Sequence, residues 1–183
     1  MTSLASGTTL TSIFSGIRTA KATLDANYLR PGHYVCRIDK CKIDQNRKKI
    51  TFAAIEMTVI QVRDNEQGQG HSQGECVTFY VEQGDYFLPE IKSFIGNVMG
   101  IPQDQITEEH AAEAFGEGQP LVGTCAEVQA RQITTKNGGV FTRVSFRREV
   151  PAAEIKQILS PEEEAMYFPD NYLDRVIAAE QAA

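Results

Sequence analysis

The sequence predicts a mainly β fold, a five-stranded Greek-key barrel with one helix between strands 3 and 4, plus an N-terminal arm and C-terminal helices. Three observations carry that expectation. Strand-like alternation of apolar and polar residues recurs in five stretches between residues 31 and 150. A single helical stripe interrupts them after the third stretch. The last two stretches are joined by Asn137-Gly138, a dipeptide suited to a tight hairpin because it tolerates positive φ angles.

Residues 1–30 read as an arm with a short amphipathic helix: Leu10, Ile13, Phe14, Ile17 and Leu24 have helix-like spacing among poor helix formers. Pro31-Gly32 punctuates the chain. Tyr34 to Lys42 alternates as a first strand, and Asp44 to Lys49 is a polar turn. Ile50 to Val62, rich in β-branched residues, is a long second strand. Residues 64–74 have the composition of a flexible loop. Val77 to Val81 is a third strand. Phe87, Ile91, Phe94, Ile95 and Val98 form one helical stripe, with Asp85 as the expected N-cap and Gly100 and Pro102 as stop signals. Thr107 to Phe115 reads as a further helical turn or two. Leu121 to Thr134 and Val140 to Val150 are the fourth and fifth strands. That order is the order of an OB-fold, although periodicity alone also allows another small β-barrel with an inserted helix. Residues 31–150 make up this domain. Residues 151–183 form an acidic helical segment, opened by the capping sequence Ser160-Pro161-Glu162-Glu163. Its last helix follows Pro169-Asp170 and presents Tyr172, Leu173, Val176 and Ile177.

Composition sets the class. At 42% hydrophobic and 23% charged residues, the chain matches an ordinary soluble globular protein. No apolar run approaches a membrane span, and the first residues lack the basic start of a signal peptide, so a cytoplasmic location and no membrane partner are expected. Cys36, Cys41, Cys76 and Cys125 form no C-x-x-C pair and are expected as small core residues. A zinc site from Cys36, Cys41, His71 and Cys76 is disfavoured, because a spacing of five places strand residues on opposite faces. Phosphate-binding, nucleophile-elbow and metalloprotease motifs do not occur. The expectation is therefore a protein that is no enzyme and uses neither cofactor nor metal.

Charge is distributed unevenly. The net charge is −6, yet residues 30–63 carry +5 and residues 121–150 carry +3, against −10 over residues 64–120. In an OB-fold the first-to-second and fourth-to-fifth strand loops clamp an oligonucleotide against the barrel face. Here those loops carry Arg47, Lys48 and Lys49, and Lys136, which are suited to phosphates. On the fifth strand Phe141, Arg143, Ser145 and Arg147 share the face opposite Val140, Thr142, Val144 and Phe146, which reads as core. A ring among guanidinium groups combines base stacking with phosphate neutralisation. Arg37 and Arg131 are expected to join that groove, and Tyr34, Phe52 and Tyr80 are further candidates for stacking.

 Phe52 lies on the second strand and Tyr80 on the third, where core packing competes with stacking for any aromatic side chain.

Several stretches resemble the single-stranded DNA-binding proteins of tailed phages that use an OB-fold. They are Leu29-Arg30-Pro31-Gly32-His33-Tyr34, Gly74-Glu75, Phe87 to Phe94 before Gly100, Leu121-Val122-Gly123, and Thr135 to Thr142. The resemblance covers residues 13–150. It implies a protein that protects single-stranded DNA during phage DNA replication or recombination, in the cytoplasm of an infected bacterial host cell. It also implies an acidic tail that recruits replication or recombination proteins. The tail here departs from that pattern, being interleaved with Ala, Tyr and Ile and helical in character. The arm, residues 1–24, offers an element for self-association. Two other readings stay open on the sequence: a phage structural or interaction protein with a β-barrel core, and a recombination accessory enzyme.

Overall fold

The computed structural model describes residues 27–65 and 70–182, so residues 1–26 of the arm expected over residues 1–30, with its short helix, lie outside the described residues. The strands are β1 (Gly32–Gln45), β2 (Thr51–Asp64), β3 (Cys76–Glu82), β4 (Cys125–Thr134) and β5 (Val140–Val150). They form one antiparallel sheet in the order β3-β2-β1-β4-β5. Helix α1 (Phe87–Met99) follows β3, then a 3₁₀ turn and α2 (Glu108–Ala114). After β5 come α3 (Ala152–Ile158), α4 (Pro161–Tyr167) and α5 (Tyr172–Ala182). Among the described residues, no helix is long and apolar enough to cross a membrane.

β1 is central and bent. Three register shifts against β2 bend it, as bulges do. Tyr34, Cys36 and Ile38 point inward; the shift between Ile38 and Lys40 changes the parity, so Cys41 joins the same core. That core also takes Ile55, Met57 and Val59 of β2, Val128 of β4, Phe146 of β5, and Phe94 and Ile95 of α1. The opposite face of the sheet carries a second core. Val35, Ile60, Cys125 and Val150 are covered there by Ile155, Tyr167, Phe168 and Leu173 of the C-terminal segment. Glu154 of α3 is tied to the sheet by Arg63 (2.7 Å) and Arg148 (2.8 Å), and Glu127 takes His33 at 2.8 Å and both arginines at 3.1 Å.

The expected closure into a barrel does not occur. β3 and β5 are not joined by a hydrogen-bonded ladder. Two features hold them apart. The outward N–H of Thr78 donates to the Asn27 carbonyl at 2.9 Å, and Tyr28 bridges Thr78 in parallel, so part of the β3 edge is already used. The seam is filled by rings instead: Phe79 and Phe94 meet Phe146 edge-on, at 5.4 and 4.8 Å between centroids.

Several local expectations change. β4 starts at Cys125, because Leu121 to Thr124 turn, although Gly123 and Thr124 still exchange backbone hydrogen bonds with Ile38 at 2.8 Å. Tyr86, not Asp85, occupies the N-cap of α1, and no side chain caps it. Cys76 is exposed, whereas Cys36, Cys41 and Cys125 are buried; burial pushes the Cys41 and Cys125 thiols up to about 12. The Ser160 capping box forms as expected, with Glu163 N–H donating to Ser160 Oγ.

His71, expected in a flexible loop, is 1% exposed. The Arg30 N–H donates to its Nε2 at 2.9 Å, so Nδ1 carries the proton and donates to Glu75 Oε2 at 2.7 Å. Its own N–H donates to Tyr34 Oη. Gly32 is required beside this group, since a Cβ there would meet Tyr34 Oη at 2.2 Å. The His71 hydrogen bond, then the Ser72 N–H and the Arg30 charge, lower the Glu75 carboxyl to about 2. A depressed folded pKa stabilises the fold above the unfolded value and is lost as pH falls through the folded one. The stability difference between the wild type and Glu75→Gln is therefore expected to be full above about pH 5 and to vanish towards pH 2, as measured by urea unfolding across that range. A difference that does not change with pH would show that the carboxylate charge is not what matters.

Candidate nucleic-acid interface

The antiparallel register of β4 and β5 brings outward-facing residues together in pairs. Gln129 faces Ser145, Arg131 faces Arg143, and Ile133 faces Phe141. Arg147 is added by a bulge: Val128 pairs with Phe146 and Glu127 with Arg148, which leaves Arg147 as the extra residue. Its guanidinium donates to Gln129 Oε1. Gln129, Arg131, Ile133, Arg143, Ser145 and Arg147 line one surface cleft. Phe141, at the end of it, is 49% exposed, while Phe146 on the other face is 5% exposed. The two faces of β5 separate as expected at Phe146, but not at the hairpin end, where Val140, expected in the core, is 57% exposed.

Among the described residues, no carboxylate lies within ion-pair distance of Arg131, Arg143 or Arg147, whereas Arg30, Arg37, Lys42, Arg63, Arg148 and Lys156 are all paired. Glu90 of α1 feels the Arg143 charge, but burial dominates and raises its pKa. Lys136 is exposed in the hairpin turn beyond the cleft. Only Gly138 of that turn has positive φ, at 79°, and its N–H donates to the Thr135 carbonyl at 2.9 Å. The turn is thus not the type in which both Asn and Gly are left-handed.

Arg47, Lys48 and Lys49 are exposed on the β1–β2 hairpin. This turn repeats the hydrogen bonding of the other, with Lys49 N–H donating to the Asn46 carbonyl at 2.8 Å. Here a lysine with φ 61° occupies the left-handed position that a glycine fills in the β4–β5 turn. The Asn46 side chain accepts from Lys48 and Ile50 and donates to Glu82, which braces the loop against β3. The two hairpin tips lie beyond opposite ends of β1, since one follows Gln45 and the other follows the part of β4 that passes Gly32.

Phe52 and Tyr80 pack together at 4.9 Å between centroids on the outward side of β2 and β3. Tyr28, 56% exposed, meets the Tyr80 ring edge-on. The sequence reading missed Tyr28, although an aromatic just before the apolar Leu29 was a usable signal. It also missed Gln129 and Ile133, which the two-residue alternation through Arg131 marks as its neighbours.

Two residues expected at the interface are instead engaged within the fold. Tyr34 is fully buried, with its hydroxyl 2.9 Å from the Pro31 carbonyl, so no base can reach its ring. Arg37 is held by Asp39 at 2.7 Å and by the Tyr167 carbonyl, and its guanidinium lies 5.6 Å from the centroid of the Phe168 ring. The C-terminal helices have taken it.

No protein-family model matches the chain, and no curated protein sequence matches it either.

Arg37→Ala is expected to lower stability by about 1–3 kcal/mol, the range for a partly buried charged hydrogen bond, and to leave nucleic-acid affinity unchanged. Chemical unfolding and an oligonucleotide titration on the same protein check both halves. Loss of affinity in a stable variant would return Arg37 to the interface.

Proposed function

We propose that this chain is a non-catalytic OB-fold protein that binds and protects single-stranded DNA with little sequence preference, in phage DNA replication or recombination. The strand order and the helix between β3 and β4 support the fold assignment, with the β3–β5 seam packed by rings rather than hydrogen-bonded. One observation carries the function: an exposed Phe141 next to a cleft with three arginines, none of them neutralised by a carboxylate among the described residues. The chain as a whole has acidic residues in excess, so a local cluster without them favours an anionic partner.

A base stacked on Phe141, with the guanidinium groups on its flanking phosphates, satisfies both features at once. A ring that stacks needs an unpaired base, so single strands are favoured over duplex. Contacts of this kind reach the backbone and a π-face, which every nucleotide has, and so carry little sequence information. The basic β1–β2 loop extends the electrostatic footprint.

Phe141→Ala is expected to weaken binding to an unstructured oligonucleotide by about 1–3 kcal/mol with little loss of stability. Phe146→Ala is expected to cost about 3–5 kcal/mol of stability, as core phenylalanine truncations do. Fluorescence titration and chemical unfolding of both variants decide the matter; full affinity in Phe141→Ala would remove the platform. Reversing the charges of Arg47, Lys48 and Lys49 together is expected to lower the log–log salt slope of binding by about 2, at about 0.7 per phosphate contact on single strands. An unchanged slope would place that loop away from the DNA.

A further inference from the structure

We propose that Arg131 and Arg143 form a phosphate-bridging site, in which one phosphate group is held between the two guanidinium forks and relieves their mutual repulsion. The inference rests on the nucleic-acid reading above and specifies what the cleft recognises. Arg131 and Arg143 are direct cross-strand partners on one face. Side chains so placed have Cβ atoms about 4.5–5.5 Å apart, and like charges directly opposite each other destabilise a sheet. Arg147 adds a third positive charge, aimed by the bulge and by Gln129. The chain has 24 acidic residues against 18 lysines and arginines, yet among the described residues the six lysines and arginines with an ion-pair partner do not include Arg131, Arg143 or Arg147. The repulsion is therefore a local cost that an anionic ligand removes.

The geometry selects the anion. A guanidinium fork donates two parallel N–H bonds to a tetrahedral oxyanion, and two forks facing across a strand pair can grip one phosphate from both sides. The Ser145 hydroxyl and the Gln129 amide are neutral polar groups on the same cleft. The next pair along the strands is Ile133 and Phe141, roughly 7 Å away at two residues of strand rise. A flat apolar group attached to the phosphate falls on that pair. The ligand class is thus a phosphate carrying a neighbouring ring, as in a nucleotide unit. A phosphate inside a strand and a free polyphosphate share the gripping chemistry and differ in the ring.

Because the ligand binds the folded hairpin, phosphate and stability are linked. Thermal unfolding of the full chain, with and without sodium tripolyphosphate at constant ionic strength, is compared with titration of a labelled oligothymidylate. Tripolyphosphate is expected to raise the wild-type melting temperature and to compete with the oligonucleotide, which binds more tightly because it also offers a ring. Arg143→Gln is expected to raise the melting temperature without added anion by about 1–4 °C, since it removes a like-charge pair. The same variant is expected to lose most of the rise with tripolyphosphate and to bind the oligonucleotide about tenfold more weakly. Arg143→Lys, which keeps the charge but not the fork, is expected to bind weakly without the gain in melting temperature.

The bridge is overturned if Arg143→Gln melts lower than the wild type without anion, or keeps the full tripolyphosphate rise. If the oligonucleotide binds equally to wild type and variant, the bridge fails while the single-strand reading stands. If tripolyphosphate behaves as expected but no oligonucleotide binds, the bridge stands and the single-strand reading fails.

Discussion

The two-sided burial of β1 is the constraint from which the rest of the molecule follows. A half-buried strand can alternate apolar and polar residues and leave one face in water. β1 cannot, because Tyr34, Cys36 and Ile38 feed the core under α1 while Val35 between them lies under the C-terminal helices. Both layers have to be present for this stretch to be dry. The segment after Pro151 is for that reason part of the fold: removing it would expose Val35, Ile60, Cys125 and Val150 together.

The same constraint divides the outward face of the sheet into a part covered by the C-terminal helices and a part left open. Along the first half of β1 the cations are consumed by the fold, with Arg63 and Arg148 on Glu127 and Glu154, and Arg37 on Asp39, the Tyr167 carbonyl and the Phe168 ring. Further along β4 and β5, past the helices, Arg131, Arg143 and Arg147 have no such partners among the described residues. The bulge at Arg147 marks the boundary. Arg148, the next residue, belongs to the ion-pair network, while Arg147 turns to the cleft. One inserted residue thus assigns two neighbouring arginines to different tasks.

Local rules of stability are broken at several places, two of which involve cationic side chains. Arg131 stands opposite Arg143, and Lys49 takes a left-handed backbone conformation that glycine would adopt at lower cost. Elsewhere polar groups are well partnered, and among the described residues no buried side-chain nitrogen or oxygen lacks a hydrogen bond. The left-handed backbone recurs at Gln119, Asp170 and Asn171, so only the Arg131–Arg143 pair is peculiar to the cleft.

Much of this was legible in the sequence because it depends on neighbours along the chain. Alternation placed all five strands, the apolar stripe placed α1, and Ser160 with Glu163 placed the start of α4, since each signal acts over a few residues. The same alternation put Phe141 outside and Phe146 inside. What tertiary structure alone decided depends on residues far apart in sequence. Tyr34 looked available for stacking until His71 and Pro31 enclosed it, and Arg37 looked free until Tyr167 and Phe168 arrived from the other end of the chain. The open seam between β3 and β5 was equally out of reach, because it depends on Asn27 and Tyr28 occupying the edge of β3. Local periodicity reports which way a side chain points; only the packed chain determines what meets it there.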